Sequence, residues 1–163
     1  AFDDNGQWAR SGKVHVPLLQ AMMAEPFLQQ APPKSTGRDL FHAQWLGSHL
    51  ADFTNVSAVD VQTTLTEFTA RACASDVLRH ANGAKELILC GGGALNGFLM
   101  ERLQTALPNC KVLSSTDRGM PPLQVEATAF AWLARQTVLG LVGNAPKVTG
   151  AIGARILGGI YPA

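Results

Sequence analysis

Charge is scarce in this 163-residue chain, and so is any imbalance of it. Charged residues make up 15% of the total, and 13 bases against 12 acids leave a formal net charge of +1. A protein that tracks a phosphate backbone carries a strong basic excess, so no nucleic-acid partner is expected. A disordered charged tail is excluded too, because 47% of the residues are hydrophobic, enough to collapse around a core. Long apolar runs are missing. None approaches the roughly 20 residues that a membrane helix needs, so no membrane association is expected. The opening AFDDNGQWAR has acids where a secretory leader is basic, so no leader is expected and the reading is cytoplasmic. Cysteine is sparse: Cys73, Cys90 and Cys110 are odd in number, unpaired as CxxC and without a Cys/His cluster. That spacing predicts reduced, mostly buried thiols and no metal ligands. The length suits one domain with a real core. The start at Ala1, without Met, fits either processing or a piece of something longer.

The periodic segments predict a helix-rich α/β fold. Residues 1–16 read as a loop. Pro17 opens a short helix with Leu18, Leu19, Met22 and Met23 on one face, stopped at Pro26. The stretch QQAPPKSTGR, residues 29–38, is a loop, and Phe41, Trp45, Leu46 and Leu50 then recur at helical spacing, with His42 and His49 as surface histidines. Ser57 and Asp60 form a capping box for a helix to about His80, with Val61, Leu65, Phe68 and Ala72 as its buried stripe. A strand, Glu86 to Cys90, a helix, Leu95 to Leu107, and a second strand, Lys111 to Ser115, make a βαβ unit with parallel strands. A last long helix spans about Leu123 to Leu139, and a short strand is expected around Arg155–Leu157.

Three groups of residues could carry chemistry. Gly91-Gly92-Gly93-Ala94, with Asn96, leaves a strand and enters a helix. In an open α/β sheet ligands bind in that crevice, glycine admits a close approach, and a helix N-terminus offers unpaired N–H groups. The bland alternative is a glycine turn that only lets strand pack on helix. A dinucleotide fingerprint GxGxxG fails at Asn96, and in the next frame at Ala94, although Asp117 stands where an acid could hold a ribose. A P-loop pattern is absent from the sequence. Glu126, inside Val125-Glu126-Ala127, begins an apolar helix; it either serves the helix dipole or faces the cleft, where it could bind a sugar hydroxyl or orient a water. The loop Lys34-Ser35-Thr36-Gly37-Arg38 is cationic and hydroxylated, suited to an anionic group or simply solvated.

Together these segments resemble the C-terminal part of the anhydro-N-acetylmuramic acid kinases. The resemblance rests on GQWARSGK (residues 6–13), PKSTGR (33–38), CGGGA with Asn96 (90–96), VEA with AFAWLA (125–134), Gly143-Asn144, VTGA (148–151) and the ending Ile160-Tyr161-Pro162-Ala163. It implies a partial ribonuclease-H-like, actin-like ATPase domain, with residues 1–56 as loops and short helices and 57–163 as the nucleotide-side α/β core. It implies that ATP, with Mg2+, phosphorylates O6 of 1,6-anhydro-N-acetylmuramic acid while water opens the anhydro bridge, giving N-acetylmuramic acid 6-phosphate in peptidoglycan recycling. Gly91, Gly92, Gly93, Ala94 and Asn96 would flank the adenosine. Glu126 would sit in the active cleft in a supporting role, and Lys34, Ser35, Thr36 and Arg38 would lie near the sugar.

The resemblance also implies what is missing. Relatives are more than twice as long; a glycine-rich phosphate loop and a DTGPGN-like motif with the base aspartate are expected upstream of Ala1. The chain alone is therefore expected to be inactive, and to pair with a second copy or with the missing N-terminal part through its exposed sheet edge. Leu95 stands where many relatives have a polar residue, and Pro121–Gln124 lacks a frequent acid. Two other readings stay open: a nicotinamide-type oxidoreductase domain using Gly91–Gly93 with Asp117, and a non-catalytic kinase-like binding module.

Overall fold

The longest helix organises the rest. The structure, a computed structural model, describes residues 2–161; Ala1 and the Pro162-Ala163 end of the quoted motif lie outside them. Three short helices come first: α1, Gln7–Ser11, α2, Val16–Met23, and α3, Ala43–Leu50. Then come α4, Ala58–His80, β1, Glu86–Leu89, α5, Gly97–Ala106, β2, Lys111–Ser114, α6, Val125–Val138, and α7, Pro146–Thr149. The strands β1 and β2 pair in parallel, Glu86 opposite Lys111 through Leu89 opposite Ser114, with α5 as the crossover. This is the helix-rich α/β architecture with a βαβ unit and a short parallel sheet expected of a partial actin-like ATPase domain.

Helix α4 touches α1, α2 and α5 and is buried on two faces. The expected stripe meets the first core: Phe68 is buried with Leu18, Leu19, Met22 and Leu28, while Val61, Leu65 and Ala72 pack on it half-buried. Phe41 stands edge-on to Trp45 and Phe68, with ring centroids 5.1 and 5.8 Å apart, which fixes the loop before α3. His42 caps α3 by accepting from the Trp45 amide at 3.0 Å, and His49 stands edge-on to Trp45. A second core of Ala74, Leu107 and Cys110, with Leu87 and Val112 against it, seats the sheet on the end of α4.

Four expectations are corrected. Residues 1–16 are not a plain loop, because the Asp3 carboxylate accepts from the Trp8 and Ala9 amides, at 2.8 and 2.9 Å, and so starts α1. The Ser57 hydroxyl does accept from the Asp60 amide at 3.2 Å, but the Asp60 carboxylate accepts from the Lys13 amide at 2.6 Å and the Ser57 hydroxyl at 2.8 Å rather than from the Ser57 amide, so no box closes. Residues 155–157 form no strand; Gly143 donates to the Arg155 carbonyl at 3.0 Å, and that lone bond builds no ladder. The thiols are not mostly buried: Cys110 is, whereas Cys73 and Cys90 are exposed.

Candidate functional site

The glycine segment leaves β1 at the C-terminal end of the parallel sheet. Gly91 has φ +70° and ψ −168°, a conformation that side chains make costly. Its N–H donates to the Pro122 carbonyl at 3.0 Å, which ties the exit of β1 to the entry of α6. Gly92 and Gly93 are exposed. A Cβ on Gly91 or Gly92 would meet nothing within 4 Å, and one on Gly93 would make ordinary contact with Leu99 at 3.6 Å. Strand–helix packing therefore does not demand glycine at 92 or 93, and neither has positive φ. A surface kept bare without an internal reason is what close approach of a flat ligand requires.

A short turn over Gly92–Leu95 follows, with the Ala94 and Asn96 amides donating to the Gly91 and Gly93 carbonyls at 3.2 and 3.1 Å. Asn96 then caps α5: its Oδ1 accepts from the Leu99 amide at 2.9 Å. The Gly97 amide donates to Asn5 Oδ1 at 2.8 Å. The helix N-terminus expected to offer unpaired N–H groups thus has two of them already bound by asparagine side chains. Any contact from Asn96 to a ligand falls to its Nδ2 donor, which suits a ring-nitrogen or carbonyl acceptor. Asn96 also lines a recess of about 260 Å3 with Gln62, Thr66 and Thr69 from α4.

Glu126 is exposed in the first turn of α6, where the helix dipole favours a carboxylate. The Gly91–Pro122 bond places that turn, four residues after Pro122, at the same end of the sheet as the glycines. No residue of α6 is buried, so the helix closes no cleft over Glu126. Phe130 and Trp132 are exposed on it.

The loop of residues 34–38 is held against α4. Lys34 Nζ lies 2.9 Å from Asp76 of α4 and 5.1 Å over the Phe27 ring, and its side chain is 9% exposed. It anchors the loop rather than presenting a cation. Ser35 and Arg38 are exposed, and Thr36 Oγ1 is buried without a partner. Asp117, the ribose candidate, closes a capping box with Ser114, accepting from its amide at 3.0 Å, so its carboxylate is engaged in the turn after β2. Among the described residues no three His, Cys, Asp or Glu side chains gather as a metal site, and no helix is long and apolar enough to cross a membrane. A groove of about 470 Å3 between α3 and α4, lined by Trp45, Leu46, Phe68 and Cys73, is almost wholly apolar and lacks the groups for phosphate or sugar.

Two residues that matter at this end were not singled out from the sequence. Asn5 reaches α5 from 92 positions away. Its one local signal is the pair Asn5-Gly6, matched by Asn96-Gly97. Glu67, buried on α4, joins that helix to α5 through Arg102.

Comparison with known proteins agrees with the motifs. The profile of the anhydro-N-acetylmuramic acid kinase family matches residues 1–163. Proteins named anhydro-N-acetylmuramic acid kinase are similar throughout: 58% identical in Albidiferax ferrireducens, over 99% of this chain and 42% of the relative. The one in Variovorax paradoxus is 57% identical, over 99% and 43%. The one in Cupriavidus pinatubonensis is 56% identical, over 99% and 44%. The chain thus spans well under half the length of the curated relatives it matches. The C-terminal placement expected from the resemblance does not follow from that share.

Proposed function

Since the chain belongs to the anhydro-N-acetylmuramic acid kinase family, we propose that it forms one wall of the nucleotide site of an ATP-dependent sugar kinase. The carrying observation is that Gly92 and Gly93 are bare and exposed where internal packing asks for neither. Adenosine lies against Gly91–Ala94, with the Asn96 amide donating to it. Glu126, at the same end of the sheet, holds the anhydro sugar or the water that opens it. Of the 34–38 loop, Ser35, Thr36 and Arg38 remain near the sugar, while Lys34 fixes the loop to α4. Substrate is 1,6-anhydro-N-acetylmuramic acid and product its ring-opened 6-phosphate, in a cytoplasmic recycling reaction. Phosphoryl transfer is achieved here by positioning and charge neutralisation.

The donor set bears on the metal. Mg2+ takes oxygen ligands and keeps several waters, bound through one or two carboxylates and the substrate phosphates. At this end of the sheet Asp117 is engaged in its cap, which leaves Glu126 as the open carboxylate. The described residues therefore build no metal cage of their own, and Mg2+ would come with the nucleotide, where it would neutralise phosphate charge.

Titration calorimetry tests the reading. ATP is expected to bind and NADH not to, since the dinucleotide alternative has lost Asp117 to a cap and lacks a third glycine. Gly92→Val is expected to weaken ATP about tenfold or more with the melting midpoint unchanged, because its Cβ meets nothing. NADH binding, or ATP binding indifferent to that substitution, overturns it.

The same reading makes the chain inactive and associating when alone. Exposed Phe130, Trp132 and Val138 along α6, with Leu139 at its end, and two open edges on a two-stranded sheet, leave apolar and hydrogen-bonding surface to cover. Sedimentation is expected to show dimers or larger species that the rest of the kinase suppresses. A clean monomer that turns over the anhydro sugar would refute both points.

A further inference from the structure

The segment that carries the bare glycines is itself soft: Gly91, Gly92, Gly93 and Gly97 fall within seven residues. Glycine loses more backbone freedom on ordering than any other residue, so such a stretch needs fixed ends. One end is fixed by the Gly91 bond to Pro122. The other is the first turn of α5, and it is fixed from the opposite end of the chain.

A tight turn at Asp4–Gly6 does this. Asn5 sits at φ +53°, the left-handed region that asparagine tolerates better than other side chains, and Gly6 follows at φ +69°. That backbone aims Asn5 Oδ1 at the Gly97 amide, 2.8 Å away. The fit is close on both sides. A Cβ on Gly97 would lie 2.5 Å from Asn5 Oδ1, and a Cβ on Gly6 would overlap Asn96 Oδ1 and approach Phe98 Cβ to 2.8 Å. So Asn5 binds the first amide of α5 while Asn96 binds the third, and Gly6 and Gly97 let the two asparagines interlock. One short turn separates this lock from Gly92 and Gly93.

We propose that Asn5 is a positioning residue for the nucleotide: it fixes the start of α5, and through it the set of Gly92, Gly93 and the Asn96 amide against the adenosine. This rests on the nucleotide reading above. Asn5 itself touches no ligand. Its removal is expected to act on ATP and not on the sugar.

The test is made in the full-length kinase that carries this chain, by ATP titration and by separate KM values for ATP and the anhydro sugar. Asn5→Gly keeps the backbone freedom but deletes the acceptor, and is expected to raise the Kd and KM for ATP roughly tenfold, with the sugar KM unchanged. Asn5→Asp keeps an acceptor at a helix N-terminus and is expected to stay within about threefold of the parent. Glu101→Gln weakens the paired bonds from Arg10, at 2.5 and 2.7 Å, lower on the same α1–α5 contact; it is expected to lower the melting midpoint and leave ATP affinity alone. If Asn5→Gly does not fold, Gly97→Ala, which pushes Asn5 away from α5, carries the same expectation. A parent protein that binds no ATP defeats the nucleotide reading itself. A parent that binds ATP while Asn5→Gly binds it equally well, or a Glu101→Gln that weakens ATP as much, defeats the positioning role alone.

Discussion

Glu126→Gln is expected to lower kcat/KM for the anhydro sugar by about 10²-fold or more in the full-length kinase, with the KM for ATP unchanged. Glutamine has the same shape but cannot hold a negative charge against a hydroxyl or an attacking water. The residue is exposed at the first turn of α6, so its loss removes only a helix-dipole interaction of about 0.3–1 kcal/mol. A large kinetic effect with a nearly constant melting midpoint therefore separates chemistry from folding. The sugar arm also separates Glu126 from the glycines, whose substitution moves ATP. If kcat/KM for the sugar stays within about threefold of the parent, Glu126 is a helix-start acid and nothing more.

The elements legible in the sequence were those with a local cause. Ser57 announces α4, Pro17 announces α2, and the change of period at Glu86 announces the strand, helix and strand. The glycine triplet at a strand end was legible for the same reason. What was not legible came from distant partners. Thr63 and Thr64 lie outside the apolar stripe of α4, yet both are buried: Thr63 donates to the Ala9 carbonyl, and Thr64 accepts from the His15 amide at 2.9 Å. Hydroxyls that satisfy passing backbone can face inward, and no periodicity in apolar residues reports that. Lys34 looked like a ligand cation because its partner, Asp76, lies 42 positions on. Asp117 looked free for a ribose because a capping turn of four residues is hard to see in a run of polar residues. Asn5 is the extreme case, since its role exists only when α5 arrives beside it.

The buried carboxylate of Glu67 carries the second large effect, this time on stability. It is 3% exposed, and its two oxygens accept from Arg71 Nε of its own helix and Arg102 Nε of α5, each at 2.6 Å. Burial alone would push the carboxyl up, but the bonds from Arg102 and Arg71 outweigh it and hold the group below its ordinary range. A carboxyl whose folded value is depressed contributes stability above its unfolded value near 4.3, and that contribution disappears as pH falls through the folded value. The guanidinium of Arg71 reaches solvent, and that of Arg102 is partly covered. Removing an arginine therefore costs more than removing the acid, since the arginines can turn to water and the buried carboxylate cannot. Arg102→Met is expected to destabilise the chain by about 2–4 kcal/mol in urea unfolding at pH 7, below the full cost of orphaning a buried charge because Arg71 remains. Glu67→Gln is expected to cost about 1–2 kcal/mol and to flatten the loss of stability below pH 4. The double variant should fall short of the sum, because both substitutions break one contact between α4 and α5. A cost under about 0.5 kcal/mol for Arg102→Met, or an acid limb unchanged in Glu67→Gln, would show that the clasp does not hold α5 to α4.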